Sequence, residues 1–135
     1  MSEPLRDVVA RTGAGAYGQT IEVGPHRLAG DESVGNGGND TGPAPHELLL
    51  AALASCASMT AKAYAAHKGL PLRAVEVHVR GRREDDAFVI QRHIALDGDL
   101  DAIQRARIME IAERCPVART LSGTIRIVSL MHWPV

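Results

Sequence analysis

Two cysteines are the residues of this sequence with the most reactive side chains. Cys56 lies in the middle of the apolar stretch "HELLLAALASCASMTAKAYAAHKG", and Cys115 lies directly before a proline in "IAERCPVARTL". A thiolate can attack a peroxide, and a second thiol can then capture the oxidised sulfur as a disulfide. Free cysteines also serve as small buried hydrophobic residues. The residues alone leave both interpretations open for each thiol.

The two thiols are predicted to have different surroundings. If residues 116–121 form a short helical turn, Pro116 takes its first position and Cys115 its N-cap, a place that favours the thiolate and keeps it accessible. Cys56 is in the middle of a helix, so its reactivity requires a cation from another part of the fold. Without that cation, Cys56 is better explained as core packing.

The helix that carries the first thiol has clear boundaries in the sequence. It is predicted to begin near Pro45 or His46 and to end at Gly69, which suits the C′ position. Residues 48–66 are apolar on nearly every side, which indicates a helix buried all round. Glu47 lies in the first turn, where an acid complements the helix dipole.

The rest of the sequence predicts strands and a second helix. A capping box at Asp101 and Gln104 begins that helix, which covers about 101–114. The Gly- and Pro-rich residues 33–45 form a loop long enough to be functional. The order of elements predicts one α+β domain with antiparallel pairing over residues 1–135. The predicted strands are 5–11, 17–23, 26–32, 74–82, 87–96 and 124–131.

Composition and charge argue against several classes of function. The formal net charge is −1 and the pI is about 6.6, so no overall field attracts nucleic acid or an anionic membrane. The apolar helix contains Glu47 and Lys62, which disfavours a membrane span. The N-terminal "MSEPLRDVVAR" has early charges and no apolar core of a signal peptide, so we expect a cytoplasmic protein with reduced thiols.

Two further patterns are interpreted as structural. "GAGAYG" matches the G-x-G-x-x-G motif, but strand-like residues follow it and no crossover helix is predicted, which favours a hairpin turn over a dinucleotide site. The six histidines do not show the spacing of metal ligands. We therefore expect neither a nucleotide nor a metal.

Both cysteine-bearing motifs resemble those of the OsmC/Ohr family, the osmotically inducible and organic hydroperoxide resistance proteins. "GPAPHELLLAALASCASMTAKAYAAHKGLPL" is similar to the family's P-x-E-L-L-L-A-A-L-x-x-C block, and "IAERCPVARTL" is similar to its Cys-Pro block. The resemblance implies an OsmC-like fold, in which an antiparallel sheet surrounds a long buried central helix, and an intertwined homodimer.

The resemblance also implies a thiol-dependent peroxidase for organic hydroperoxides. Cys56 would be the peroxidatic cysteine and Cys115 the resolving one, and the two would form a reversible disulfide. A dithiol reductant of the dihydrolipoyl type would restore the thiols, without a metal or a bound organic cofactor. The alternative is a non-catalytic dimer that binds an apolar small molecule.

Family members use a Glu–Arg pair beside the peroxidatic thiol, and Glu47 matches the glutamate. Along one helix Cys56 lies roughly 13 Å further and points to nearly the opposite side, so Glu47 is expected to serve the Cys56 of the other chain in a dimer. The organic hydroperoxide branch carries its arginine in a turn that is "TGAGAYG" here, with no arginine inside. Arg11 is the nearest candidate, followed by Arg27, while Arg119 is a substitute if the turn after the second thiol is helical. This difference places the chain closer to the OsmC-like branch.

Overall fold

The computed structural model describes residues 4–131. The chain divides into two compact units, an N-terminal unit up to Ala51 and a C-terminal unit from Ala52 onward. The elements are mixed α and β, and the strands of each sheet pair only in the antiparallel sense. This agrees with the predicted α+β class.

The N-terminal unit contains a meander of three strands in the order β1-β2-β3. The three strands predicted for this part of the chain are confirmed, with ends that differ by a few residues. "GAGAYG" forms the turn between the first two strands, where the backbone N–H of Gly13 donates to the carbonyl of Gly18 at 2.7 Å and Gly15 has a positive φ of 75°. The prediction of a hairpin turn is therefore confirmed. The strands are β1 (Val8–Thr12), β2 (Gln19–Val23) and β3 (His26–Gly30).

A buried carboxylate organises the loop that follows β3. Asp31 is 3% exposed and accepts hydrogen bonds from the backbone N–H groups of Glu32, Asn39 and Thr41, at 2.7, 3.3 and 3.1 Å. The hydroxyl of Thr41 donates to the same carboxylate at 2.6 Å. The Thr41 hydroxyl and these N–H groups lower the pKa of Asp31, against the opposing effect of desolvation. The predicted loop is thus an ordered segment, with one short 3₁₀ turn at Val34–Asn36.

The helix α1 covers Pro45–Lys68, and Gly69 follows it with a positive φ of 67°, as the sequence predicts. Its buried residues recur at every fourth position and form one stripe, whereas Met59 on another side is 69% exposed. The expectation of burial all round is therefore wrong for the single chain. By length and composition α1 could cross a membrane, yet its buried stripe belongs to the hydrophobic core. That stripe is Leu53, Ala57, Ala61 and Ala65.

The C-terminal unit adds a long hairpin and two helices to α1. The strands β4 (Leu72–Glu84) and β5 (Ala87–Gly98) pair with one irregularity, between Leu72 and Ala74. Alternate side chains in the middle of both strands face the core, as predicted. Helix α2 covers Ala102–Glu113 and begins with the predicted capping box, and α3 covers Pro116–Ser122.

The strand predicted at 124–131 is not formed. These residues have no strand pairing, and within the described chain the hairpin of β4 and β5 is a sheet of two strands only. The apolar side chains of the segment are exposed, with Ile127 at 85% and Leu130 at 82%. The segment has the composition of a strand, but residues 4–131 of one chain provide no neighbouring strand for it.

Candidate functional site

The two cysteines belong to one hydrophobic cluster of the C-terminal unit. Cys115 is completely buried together with Leu53 and Ala57, and Cys56 packs against this cluster as a half-buried residue. Both sulfurs are free thiols. The structure therefore brings together the two thiols that the sequence singled out. The expectation that Cys115 is accessible is wrong, because the apolar stripe of α2 continues into it.

The junction between α2 and α3 fixes the position of Cys115. Its backbone N–H donates to the carbonyl of Ala112 at 3.2 Å, and its own carbonyl accepts the N–H of Arg119 at 3.1 Å. Pro116 occupies the first turn of α3, which makes Cys115 the N-cap as predicted. The residue thus ends one helix and begins the next, and its side chain turns toward the core.

An arginine that the sequence analysis did not single out contacts the buried thiol. Arg92 lies on β5, and its Nη2 donates to the carbonyl of Glu113 at 2.9 Å. Its Nη1 lies 3.4 Å from the carbonyl oxygen of Ala112 and 3.9 Å from the Sγ of Cys115. The guanidinium therefore links the last carbonyls of α2 to the sulfur that follows them.

A signal for Arg92 was present in the sequence. The core-facing positions of β5 alternate, and Arg92 occupies the position between Ile90 and Ile94, both of which pack on the thiol cluster. A charged residue in an otherwise apolar alternation requires a partner in the core. In this structure the partners of Arg92 are the two carbonyls at the end of α2 and the sulfur of Cys115.

A small cavity of about 160 Å³ lies beside the thiol cluster and has Arg92 in its wall. Four of its lining residues, Leu53, Ile90, Ala118 and Leu121, also belong to the cluster around Cys115. The cavity therefore lies against the same apolar side chains as Cys115, with one cationic residue in its wall.

The other candidate residues have partners of their own. In the N-terminal unit, Arg11 pairs with Glu22 on the neighbouring strand, and Arg27 lies 3.6 Å from the same carboxylate. Glu47 accepts the backbone N–H of Ala44 at 2.8 Å, a contact that stabilises the start of α1.

Arg119 of the C-terminal unit is exposed. Its Nε donates to the carbonyl of Arg114 at 3.0 Å, so its guanidinium is directed to the end of α2. Among residues 4–131, no group of three His, Cys, Asp or Glu side chains is arranged to hold a metal ion.

A larger cavity of about 400 Å³ lies within the N-terminal unit. Its walls are mostly apolar, and they include the carboxylate of Asp31, whose oxygens already accept the hydrogen bonds of the loop. The cavity therefore combines a mostly apolar surface with two acidic residues, Asp31 and Glu32. Its other lining residues are Ala10, Tyr17, Gln19, Ile21, Gly30, Pro43, Pro45 and Leu48.

The fold is thus that of an α+β protein in which two free cysteines share one apolar cluster. The model of a family described as OsmC-like protein matches residues 37–129, which is more than half of the chain. The chain belongs to the OsmC/Ohr family. A comparison of the sequence with curated proteins gives no match.

Solved structures have the same fold. An OsmC-like protein from Mycoplasma pneumoniae is 22% identical, with a TM-score of 0.76 over 90% of each chain. An organic hydroperoxide resistance protein OsmC from Legionella pneumophila is 19% identical, with a TM-score of 0.64 over 90% of this chain and 93% of that one. The organic hydroperoxide resistance protein OhrB of Bacillus subtilis is 22% identical, with a TM-score of 0.60 over 87% and 90%. At these identities the likeness is one of fold.

Proposed function

We propose that this protein is a cysteine-based peroxidase that reduces organic hydroperoxides. The observation that supports this most directly is the packing of a half-buried Cys56 against the cluster that contains the buried Cys115. Two proteins with the same fold are named organic hydroperoxide resistance proteins. The apolar surroundings of the thiols favour a peroxide with an organic group.

In the first step the thiolate of Cys56 attacks the terminal oxygen of the hydroperoxide. The O–O bond breaks, the alcohol leaves with a proton, and Cys56 becomes a sulfenic acid. In the second step the sulfur of Cys115 attacks the sulfur of Cys56. The Cys115 thiol loses its proton, the sulfenic hydroxyl leaves as water, and a disulfide forms. The different exposure of the two sulfurs supports this assignment, because the peroxide reaches the half-buried thiol more easily.

A dithiol, for which dihydrolipoyl groups are the proposed source, then reduces the disulfide. The two thiols of the reductant give up two hydrogens to the cysteines and close to a disulfide of their own. Attack at Cys56 expels the sulfur of Cys115, which is the buried one. The proposed cycle requires no metal and no bound organic cofactor.

We also propose that the active protein is a cytoplasmic homodimer formed by one OsmC-like domain per chain. The family match spans the boundary between the two units, which supports a single domain over residues 1–135. Exposed apolar residues on α1 and in 124–131 support a second copy as partner. In that dimer Glu47 and Arg11 are the proposed partners of Cys56, with Arg27 or Arg119 as the alternative arginine.

The test is the mass of the intact protein after one equivalent of an organic hydroperoxide, such as cumene hydroperoxide. Wild type is expected to lose two hydrogens, as a disulfide requires, whereas Cys115→Ser gains one oxygen at Cys56. Cys56→Ser is the matched control, and it is expected to lose turnover while the dimer persists. No change of mass in wild type would contradict the peroxidase. It would favour binding of an apolar small molecule, for which the cavity of about 400 Å³ is the candidate site.

A further inference from the structure

Arg92 lies where the proposed cycle places negative charge on the buried sulfur. Cys115 belongs to a buried apolar cluster with Leu53 and Ala57, and further apolar side chains pack against this cluster. A thiolate in such surroundings is unfavourable unless a cation or hydrogen-bond donors lie against it. Within the described residues, the guanidinium of Arg92 is the charged group in hydrogen-bonding range of this sulfur, at 3.9 Å.

The guanidinium is held in place by contacts that do not involve the sulfur. Its Nη2 donates to the carbonyl of Glu113 at 2.9 Å, and its Nη1 lies between the carbonyl of Ala112 and the Sγ of Cys115. A planar fork of donors can bind the carbonyls and the sulfur together, and the positive charge is the part of it that stabilises a thiolate. Arg92 is also half-buried, so its charge acts on the sulfur with less screening by water than at the surface.

We infer that Arg92 is a catalytic residue of the disulfide steps: its guanidinium stabilises negative charge on the Cys115 sulfur, both when this sulfur attacks the sulfenic acid of Cys56 and when the dithiol reductant expels it. This inference rests on the proposed peroxidase function. The contact of 3.9 Å is long for an ionised pair, as expected for a resting site whose hydrogen bonds tighten when charge develops.

The inferred role is specific to steps that involve Cys115. When Cys56 attacks the peroxide, the charge develops on the leaving alkoxide and Cys115 remains a thiol. Loss of Arg92 should therefore leave the first oxidation rate unchanged and slow the conversion of sulfenic acid to disulfide. A longer-lived sulfenic acid is in turn exposed to a second peroxide, which converts it to sulfinic acid.

The experiment is rapid mixing with cumene hydroperoxide, acid quenching and intact mass, which separates the reduced, sulfenic, sulfinic and disulfide forms. Arg92→Gln is expected to form the sulfenic acid at the wild-type rate and to slow disulfide formation roughly tenfold to a hundredfold. With excess peroxide it should accumulate sulfinic acid. Arg92→Lys retains the charge and is expected to form the disulfide within about threefold of wild type.

Arg105 provides a matched control for a purely structural role. Its guanidinium also binds backbone carbonyls, those of Leu96, Gly98 and Leu100 at 2.8, 2.9 and 3.3 Å, and none of these three hydrogen bonds involves a sulfur. Arg105→Gln removes a comparable set of hydrogen bonds and should leave disulfide formation within about twofold of wild type. The far-UV circular dichroism of each variant shows whether it is folded.

The outcomes separate the inference from the function on which it rests. If wild type forms neither sulfenic acid nor disulfide, the result overturns both the proposed peroxidase function and the role of Arg92. If wild type forms the disulfide and Arg92→Gln does so at the same rate, only the role of Arg92 is overturned. Equal slowing in Arg92→Gln, Arg92→Lys and Arg105→Gln would also overturn it, since the loss would then be structural. If Arg92→Gln does not fold, Arg92→Lys decides the matter. A rate of disulfide formation within about threefold of wild type would support the role of Arg92, and a rate more than about tenfold slower would overturn it.

Discussion

At the scale of single residues, Asp31 shows how one carboxylate can order a loop rich in glycine. Its oxygens accept three backbone N–H groups and the hydroxyl of Thr41, so the loop closes on a charge rather than on apolar contacts. These donors hold the pKa of Asp31 below its ordinary value of 3.8. Folding therefore favours the ionised form, and this stabilisation is complete above that value and lost as the pH falls through the lowered pKa of the folded state.

We expect Asp31→Asn to lower the free energy of unfolding at pH 7, because the amide has no charge and can accept only through one oxygen. The difference from wild type should shrink as the pH falls below 3.8 and the wild-type carboxylate is itself protonated. Urea unfolding followed by circular dichroism at pH 7 and near pH 2.5 measures both quantities. The control is Asp40→Asn in the same loop, where the residue is exposed and its φ of 55° is tolerated by asparagine. A loss of equal size at both pH values would contradict the role of the charge.

The thiols and Arg92 show how much of the site could be predicted from residue types. Cys56 and Cys115 were found because cysteine is rare and the motifs around them are specific. The alternation around Arg92 indicated that this residue needs a partner in the core, but not which one. The carbonyls that bind its guanidinium lie 20 and 21 residues further along the chain, at the end of α2, and only the fold brings them together. The roles of Glu47 and Arg11 remain predictions, because they require a second copy of the chain. In the single chain the Glu47 carboxylate binds the N–H of Ala44, and the Arg11 guanidinium pairs with Glu22.

At the scale of elements, the sequence predicted most boundaries because each one has a local cause. Gly69 ends α1, Pro116 begins α3, and Asp101 caps α2, and none of these depends on distant contacts. The strand expected at 124–131 failed for the opposite reason. A strand requires a neighbour to receive its hydrogen bonds, and the described part of one chain does not supply it.

The capping box of α2 gives a prediction at this scale. The carboxylate of Asp101 accepts the N–H of Gln104 at 2.8 Å, and the Gln104 side chain accepts the N–H of Asp101 at 3.0 Å. Asp101→Ala should lower the free energy of unfolding by about 1 kcal/mol. Asp101→Asn, the matched control, should retain most of it because asparagine is also a good N-cap. Urea denaturation measures both, and an asparagine variant as unstable as the alanine variant would contradict capping as the cause.

At the scale of the whole molecule, the exposed apolar surface of a single chain is its main unexplained feature. One stripe of α1 is buried, while Met59 on another side is 69% exposed. In the segment 124–131 the apolar residues are exposed to between 55% and 94%. Several large apolar side chains exposed within one short segment are typical of a surface that a protein partner covers. A second copy would cover it, and the predicted strand would then have a neighbour.

The prediction is that Ile127→Asp weakens self-association. Ile127 is 85% exposed in the single chain, so a charge there should not disturb the fold of one chain. If the residue is buried between two copies, each dimer would contain two unpaired carboxylates, and the dissociation constant should rise at least roughly tenfold. Sedimentation velocity over a range of concentrations measures this constant. The matched control is Ile103→Asp, the same change at an isoleucine 82% exposed in the first turn of α2, where an acid suits the helix dipole. A monomeric wild type, or an Ile127→Asp dimer as tight as wild type, would contradict the proposal that this segment lies in the interface.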